Sequence, residues 1–353
     1  MATETRQRFD PERLAIFAQK VLRKIGMPEE DARLTGKMLI ACDLRGVESH
    51  GIAHLQLYSN WMKDGSCNIN PKITMSDLSP TTAMMDGDNS LGFVNGHKAM
   101  TEAIKRAEKL GTGFIAVRNS KHFGAASYYA MMALERDMIG IAMTAGGRML
   151  IAPGTTERAG GLNPIAVAVP AGKKHPFVLD MSTSVVAGGK LEIAKRQGKP
   201  IPEGWMVDGE GKAITDLSKV DYRNPKWRGG LLPLGGSPAL GSYKGFGLSV
   251  LVDILCTTLS GAALGTMANH FFGAIRINGF RPIQEFKSDM DQLIESIESL
   301  PALPGVKKIY VTGGLEAEVV AERTTNGIPL DTVVIQQLKD LSKETGVEYN
   351  IER

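Results

Sequence analysis

The chain lacks the features that most quickly assign a protein to a class. Its longest apolar stretch, 247–264, is broken by Asp253 and several hydroxyl residues. It reads as a buried helix and no membrane span is expected. Among 353 residues there are only three cysteines, Cys42, Cys67 and Cys256, far apart and without a C-x-x-C pair. That excludes a disulfide framework and a thiolate zinc site and suggests a reducing compartment. Charge of either sign is not in excess: the net value is +3, spread along the chain. There is thus no electrostatic reason to expect nucleic acid or an anionic membrane as partner. The opening MATETRQRFD has no apolar core, so no secretory signal is expected and the cytoplasm is the default location. No P-loop, no G-x-S-x-G and no H-E-x-x-H occurs. The nearest approach to a dinucleotide fingerprint, GTGFIA from Gly111 to Ala116, follows a helix and enters a strand. That is the reverse of the required context, and a helix C-cap explains it.

What is present reads as a large soluble core, with 43% hydrophobic and 22% charged residues. Asp10–Pro11 marks a helix start, and Leu14, Phe17, Val21, Leu22 and Ile25 recur at helical spacing before Gly26. Further helices are expected at 28–44 and 52–63, and no strand signal precedes Pro71. Helices and strands then alternate: helix 95–110 into strand 113–118, helix 125–136 into strand 139–144, then strands 165–169 and 177–180. Helix 185–197 leads into a Gly/Pro-rich region, 198–241, which holds only short β-like pieces and is read as a long functional loop. A long helix over 244–264, strand 271–277, helix 284–300 and strand 308–312 follow. Two tail helices close the chain at 315–323 and 331–345, the second capped by Asp331. The expected class is α/β, a mixed sheet flanked by helices with a helical layer from the two chain ends. Residues 1–72 with 313–353 would form the helical part. Residues 73–312 would form the α/β part.

Four stretches carry candidate chemistry. DLRGVESHGIAHLQLY (43–58) holds His50 and His54 four residues apart, so a helix would put both on one face. Two such imidazoles suit zinc, but no third ligand is marked nearby. NSKHFGAASYY (119–129) puts His122 at the carboxyl end of a strand, where ligands bind and where an imidazole can carry a proton. PFVLDMSTS (176–184) ends a strand in Asp180, which fits either a ribose contact or a helix cap. In GSYKGFGLSVLVDIL (241–255), Lys244 stands where a glycine-rich loop enters a helix, a place for an anion or simply a solvated lysine.

Together with LNPIAVAVP, IPEGWMVDGEGKAITD and the AER–GIPL tail, these stretches resemble, in order, the type-2 malate/L-lactate dehydrogenase family. That family also contains ureidoglycolate, sulfolactate and diketogulonate oxidoreductases and a cyclic imino-acid reductase. The resemblance implies hydride transfer with NAD or NADP on a non-Rossmann fold, in a homodimer with active sites near the subunit interface. By the same resemblance His50 and His122 are the active-site histidines. Asp180, Met181 and Ser182, then Lys244 and Gly245, and the loop Gly313–Gly314–Leu315 are cofactor contacts, and Tyr58 lines the substrate side. Two positions depart from the family. His54, expected to face the same cleft as His50 and meet the substrate, stands where the family usually has an arginine suited to a substrate carboxylate. Gly314 stands where it usually has a glutamate, which loosens the choice of NAD over NADP.

The expected reaction is hydride exchange at C2 of a small 2-hydroxy or 2-oxo acid. The alternative is reduction of cyclic imino acids such as piperideine- or pyrroline-2-carboxylate. Rivals from other classes are a zinc hydrolase using His50 and His54 and a catalytically silent sensor. No metal is expected.

Overall fold

The structure is a computed structural model. It describes residues 6–352 apart from 223, 225, 266 and 267. A short strand β1 (Arg8–Phe9) precedes α1 (Pro11–Ile25). The Asp10 side chain accepts the Arg13 N–H at 2.9 Å, and Gly26 ends the helix at φ 110°. Leu14, Phe17, Ala18, Val21 and Leu22 are buried, one face of the helix as the spacing requires. They meet α2 (Glu29–Leu44) at close range: a Cβ on Gly36 would lie 2.8 Å from the Ala15 carbonyl oxygen. A third helix, α3 (Leu55–Lys63), follows two 3₁₀ turns, Glu48–His50 and Ile52–His54.

Then come β2 (Thr74–Asp77), β3 (Thr82–Ser90), α4 (Gly92–Leu110), β4 (Thr112–Ser120), α5 (Ala126–Met132) and β5 (Met138–Ala145). Next are β6 (Leu150–Ile151), β7 (Arg158–Gly160), β8 (Ile165–Val169), β9 (Phe177–Met181) and α6 (Gly188–Arg196). The chain continues through β10 (Met206–Asp208), β11 (Gly229–Leu231), α7 (Ser242–Asp253), β12 (Asn269–Arg276) and α8 (Ile283–Glu298). It finishes with α9 (Gly314–Asn326), β13 (Ile328–Pro329) and α10 (Thr332–Thr345).

The main sheet has seven strands in the order β2-β3-β4-β12-β5-β8-β9. Only β3 and β4 are parallel, joined by the α4 crossover; every other pair is antiparallel. This mixed sheet is not the doubly wound parallel sheet of a Rossmann domain. Alternation along β12 serves two layers. Phe272 belongs to the large core beneath α4 and α5, and its neighbour Phe271 packs on the opposite side with Ala145, Val252 and Cys256.

The chain ends close on each other. β1 pairs with β13, and Val334, Ile335, Leu338 and Leu341 of α10 enter the same core as α1. Sequence patterning missed β1 because a two-residue strand has no periodicity. It also passed over β2 and β3. β3, TAMMDGDNS, has alternating burial, but Gly87 and the run of Asp and Asn mask its pattern.

Three expectations need correction. Residues 308–312 form no strand: Lys307 and Lys308 are exposed, and Thr312 lends only its carbonyl to the Val178 amide at 3.1 Å. The helix expected over 244–264 stops at Asp253, runs through a π turn at Ile254–Thr258 and ends. Residues 198–241 are not a bare loop. They contribute β10 and β11 to a second sheet, β10-β11-β6-β7, whose own core includes Leu150, Leu191, Met206, Tyr222 and Leu231.

Candidate active site

The DLRGVESH segment is shaped by one buried carboxylate. Asp43 lies in the last turn of α2, almost without exposure, and accepts the Ile52 N–H at 2.7 Å. Gly51 is required beside it, since a Cβ there would fall 1.9 Å from Asp43 Oδ1. Gly46 takes the left-handed turn after the helix, φ 78°, and rests on Val319 of α9. Arg323, also on α9, donates to the Asp43 carbonyl and to Glu48 Oε1, both at 2.6 Å, and Arg6 holds the other Glu48 oxygen at 2.8 Å. Between these anchors the loop presents Arg45, Ser49 and His50.

The second contributor is the turn after β4. A Cβ on Gly92 would lie 2.2 Å from the Lys121 carbonyl oxygen, so α4 can start hard against this turn only with glycine there. His122 Nδ1 lies 2.6 Å from Tyr58 Oη. Tyr58 is fully buried, and its hydroxyl has no other acceptor among the described residues. A buried O–H needs one, so the phenol donates to Nδ1 and the neutral ring carries its proton on Nε2.

The rings of His50 and His122 stack with centroids 5.4 Å apart, and His54 stacks on His122 at 5.7 Å. Burial pushes His50 down to about 4. Burial first, and then His50, His54 and His270, hold His122 well below the ordinary histidine range. The imidazoles of His50 and His122 are therefore neutral at pH 7.

Behind them His270 is buried between Thr144 Oγ1 and Ser120 Oγ, each at 2.8 Å, with its ring stacked on Phe123 at 4.5 Å. The Thr144 hydroxyl donates to the Asn269 carbonyl, so it accepts from His270 Nδ1–H. Asn95 donates to Ser120 Oγ, which leaves that hydroxyl to donate to His270 Nε2. Burial pushes His270 down to about 3.

These elements enclose a cavity of about 330 Å³. Of the residues expected from sequence, His50, His122, Asp180 and Ser182 line it together. Met181 does not, and the loop Gly313–Gly314–Leu315 is represented by its flanking residues, Thr312 and Glu316. His54 and Tyr58 pack around His122 and are not among the lining residues. Lys244 and Gly245 lie elsewhere, at the start of α7, with Gly245 against Leu234. Asp180 caps a helix, but not the one that follows it: Oδ2 accepts the Ser127 N–H of α5 at 2.8 Å.

Arg45, Asn163 and Glu316 also line the cavity and were not singled out from sequence. Asn163 carried a faint signal, an Asn-Pro pair before a strand; its backbone is left-handed, φ 37°, and its amide holds the Ser249 carbonyl at 2.9 Å.

No group of three His, Cys, Asp or Glu side chains among the described residues is arranged to hold a metal ion. The residues do fit the reactive end of a nicotinamide cofactor. The walls at Gly124, Ala125, Gly146, Gly188 and Gly189 are small enough to admit a flat ring, and Asp180 and Glu316 offer acceptors for hydroxyls. A Cβ on Gly189 would lie 2.3 Å from that of Ser49, so α6 can close on the loop only because glycine stands there.

Residues 9–339 match the family model described as malate/L-lactate dehydrogenase. The chain is 44% identical to a malate dehydrogenase of Pyrococcus horikoshii, over 97% of this chain and 96% of that one. It is 38% identical to an L-sulfolactate dehydrogenase of Methanocaldococcus jannaschii, over 94% and 95%. The crystal structure of a malate dehydrogenase from Entamoeba histolytica superposes with a TM-score of 0.94 at 34% identity, covering 98% of this chain and 99% of that one.

Asp43 gives the first test. Burial raises its carboxyl to about 7, whereas an unfolded aspartate titrates near about 4. Between those values the folded state binds more protons than the unfolded one, so this group costs the wild type stability as pH rises. Asp43→Asn keeps an oxygen for the Ile52 amide and removes the titration. The variant is expected to gain stability relative to wild type from about pH 4 to about pH 7. Thermal melts of both proteins across that range check this; a constant difference refutes it.

Proposed function

From the premise that the chain belongs to the malate/L-lactate dehydrogenase family, we propose that it exchanges hydride between NAD or NADP and C2 of a small 2-hydroxy/2-oxo acid. The observation that carries this reading is His122 on the cavity wall, its Nδ1 occupied by Tyr58 and its Nε2 left for a substrate oxygen. The bound cofactor supplies the hydride chemistry.

The protein's own work is proton transfer and placement. In the oxidative direction the neutral His50 imidazole accepts the proton of the C2 hydroxyl as the C2–H bond breaks, while His122 Nε2–H donates a hydrogen bond to that oxygen. In the reductive direction the imidazolium returns that proton to the carbonyl oxygen and stabilises the charge developing there. Tyr58 keeps His122 in one tautomer and orientation. Asp180, Ser182 and Glu316 are the acceptors and donors suited to the cofactor's hydroxyls. His54, standing where the family's arginine usually is, keeps cyclic imino acids open as a second substrate class.

The test is an absorbance assay at the nicotinamide band, with 2-oxo acids and cyclic imines presented in parallel with NADH and NADPH. The expected result is turnover of a 2-oxo acid, unchanged by exhaustive chelation. Zinc-dependent activity, or no oxidoreductase turnover at all, would overturn the proposal. His122→Ala is expected to lower kcat by about 10²–10⁴-fold while leaving dinucleotide affinity near wild type.

Because the imidazoles are neutral far below the usual histidine range, hydroxy-acid oxidation should hold its kcat/KM as pH falls through 6.5. Its acid limb should lie lower, toward 4. A limb at or above 6.5 in the pH profile counts against both histidines.

We also propose a homodimer that covers helix α7. That helix, which also carries Lys244 at its start, leaves Tyr243, Val250, Leu251 and the following Ile254 exposed. Light scattering should give twice the 38.0 kDa chain mass, and Leu251→Glu should shift it toward monomer. A wild-type monomer refutes this.

A further inference from the structure

The cavity contains a cation that the residues discussed so far do not account for. Arg45 caps the C-terminus of α2, its backbone N–H bonded to Ala41 O, and its side chain turns onto the cavity wall. It is partly buried, and its Nε is shut off from solvent with no hydrogen-bond partner. Glu316 and Asp180 act on the guanidinium through space, with no hydrogen bond between them. One oxygen of Asp180 is already committed to the Ser127 amide.

Burying an arginine without pairing its donors is costly, since an unmade hydrogen bond of a charged group forfeits its desolvation. Such a group persists where a ligand supplies the partner. No lysine and no second arginine lines this cavity among the described residues. His54, which stands where the family usually has its carboxylate-binding arginine, is not on the wall.

We propose that Arg45 is the group that binds the carboxylate of the 2-hydroxy or 2-oxo acid, beside His50 and His122. This assignment rests on the proposed reaction. The chemistry fits: a planar guanidinium stays charged at every working pH and can meet a carboxylate with two parallel N–H donors. The framework fits as well. The Arg45 backbone is pinned by the α2 helix end on one side and by Gly46 against Val319 on the other. The guanidinium therefore projects from a fixed point, and a carboxylate held by it would present C2 to the histidines at a set distance.

The probe is oxamate, a 2-oxo acid mimic that is not turned over, titrated by calorimetry into the complex of the protein with NADH. Arg45→Met should weaken oxamate roughly 10- to 150-fold, the range for a hydrogen bond to a charged group. Arg45→Lys should recover part of this loss, and guanidinium ion should rescue Arg45→Met in part. NADH affinity, read by fluorescence, should stay within a factor of two. If NADH affinity falls and oxamate binding does not, Arg45 serves the cofactor's diphosphate and the proposal fails. It also fails if neither affinity moves, or if the wild type binds no oxamate. Should the wild type bind oxamate through Arg45 yet reduce no 2-oxo acid, the proposed reaction is wrong while the anion site stands. Arg45→Lys keeps the charge at the helix end, so a folded variant is available even if Arg45→Met proves unstable.

Discussion

The site depends on one hydrogen bond, from the Ile52 amide to the buried Asp43 carboxylate. It closes residues 44–51 into a loop back onto the helix that launched it. The closure excludes any side chain at position 51 and aims Ser49, His50 and Arg45 inward. A neutral acceptor would satisfy the amide at less desolvation cost. What aspartate adds is a charged acceptor, which makes the stronger bond when ionised, at the end of a helix otherwise closed by Arg45 and Gly46.

Around that loop the protein keeps its imidazoles dry. His50, His54 and His122 stack as flat rings, whereas ligands for a metal ion would aim their nitrogens at one point. Each polar atom of His270 is matched to a hydroxyl whose own donor and acceptor roles are set by a further group. The outcome is a wall of bases whose proton affinity is set by exclusion of water, with no carboxylate beside His122 to pull it upward. Such bases suit abstraction of a hydroxyl proton at neutral pH. They make the reverse direction depend on a proton arriving with, or being stabilised by, the acid substrate.

Much of this was legible in the sequence. The α1 boundaries followed from Asp10–Pro11 and Gly26, and the strands at 113–118, 139–144 and 165–169 from their apolar runs between helices. The convergence of His50 with His122 and Asp180 is a long-range event that no local pattern contains. It was reachable only because the ordered motifs resembled a known family. Arg45 lay inside a quoted motif and carried no signal of its own, because an arginine at a helix C-terminus is ordinarily a solvated cap. Only its buried, unmatched Nε distinguishes it. The strand expected at 308–312 failed for another reason: KIYVT has strand composition, but it meets the open edge of β9 only through the bond from the Val178 amide to the Thr312 carbonyl. The region 198–241 showed only short β-like pieces because its two strands are three residues long and pair with each other, and β11 finds its other partner, β6, far back at Leu150.

The clamp on the catalytic loop has a consequence for the order in which the molecule is made. Arg323 reaches across 280 positions to grip the Asp43 carbonyl. Every candidate catalytic side chain, from Arg45 to Asp180, has therefore left the ribosome well before the residue that braces the first of them. A nascent chain ending near residue 310 holds Arg45, the histidines and Asp180 yet lacks α9 with Glu316, and of these anchors its loop keeps only the Asp43 bond and the Arg6–Glu48 pair. The bracing is complete only when the carboxyl-terminal helices dock on the amino-terminal ones.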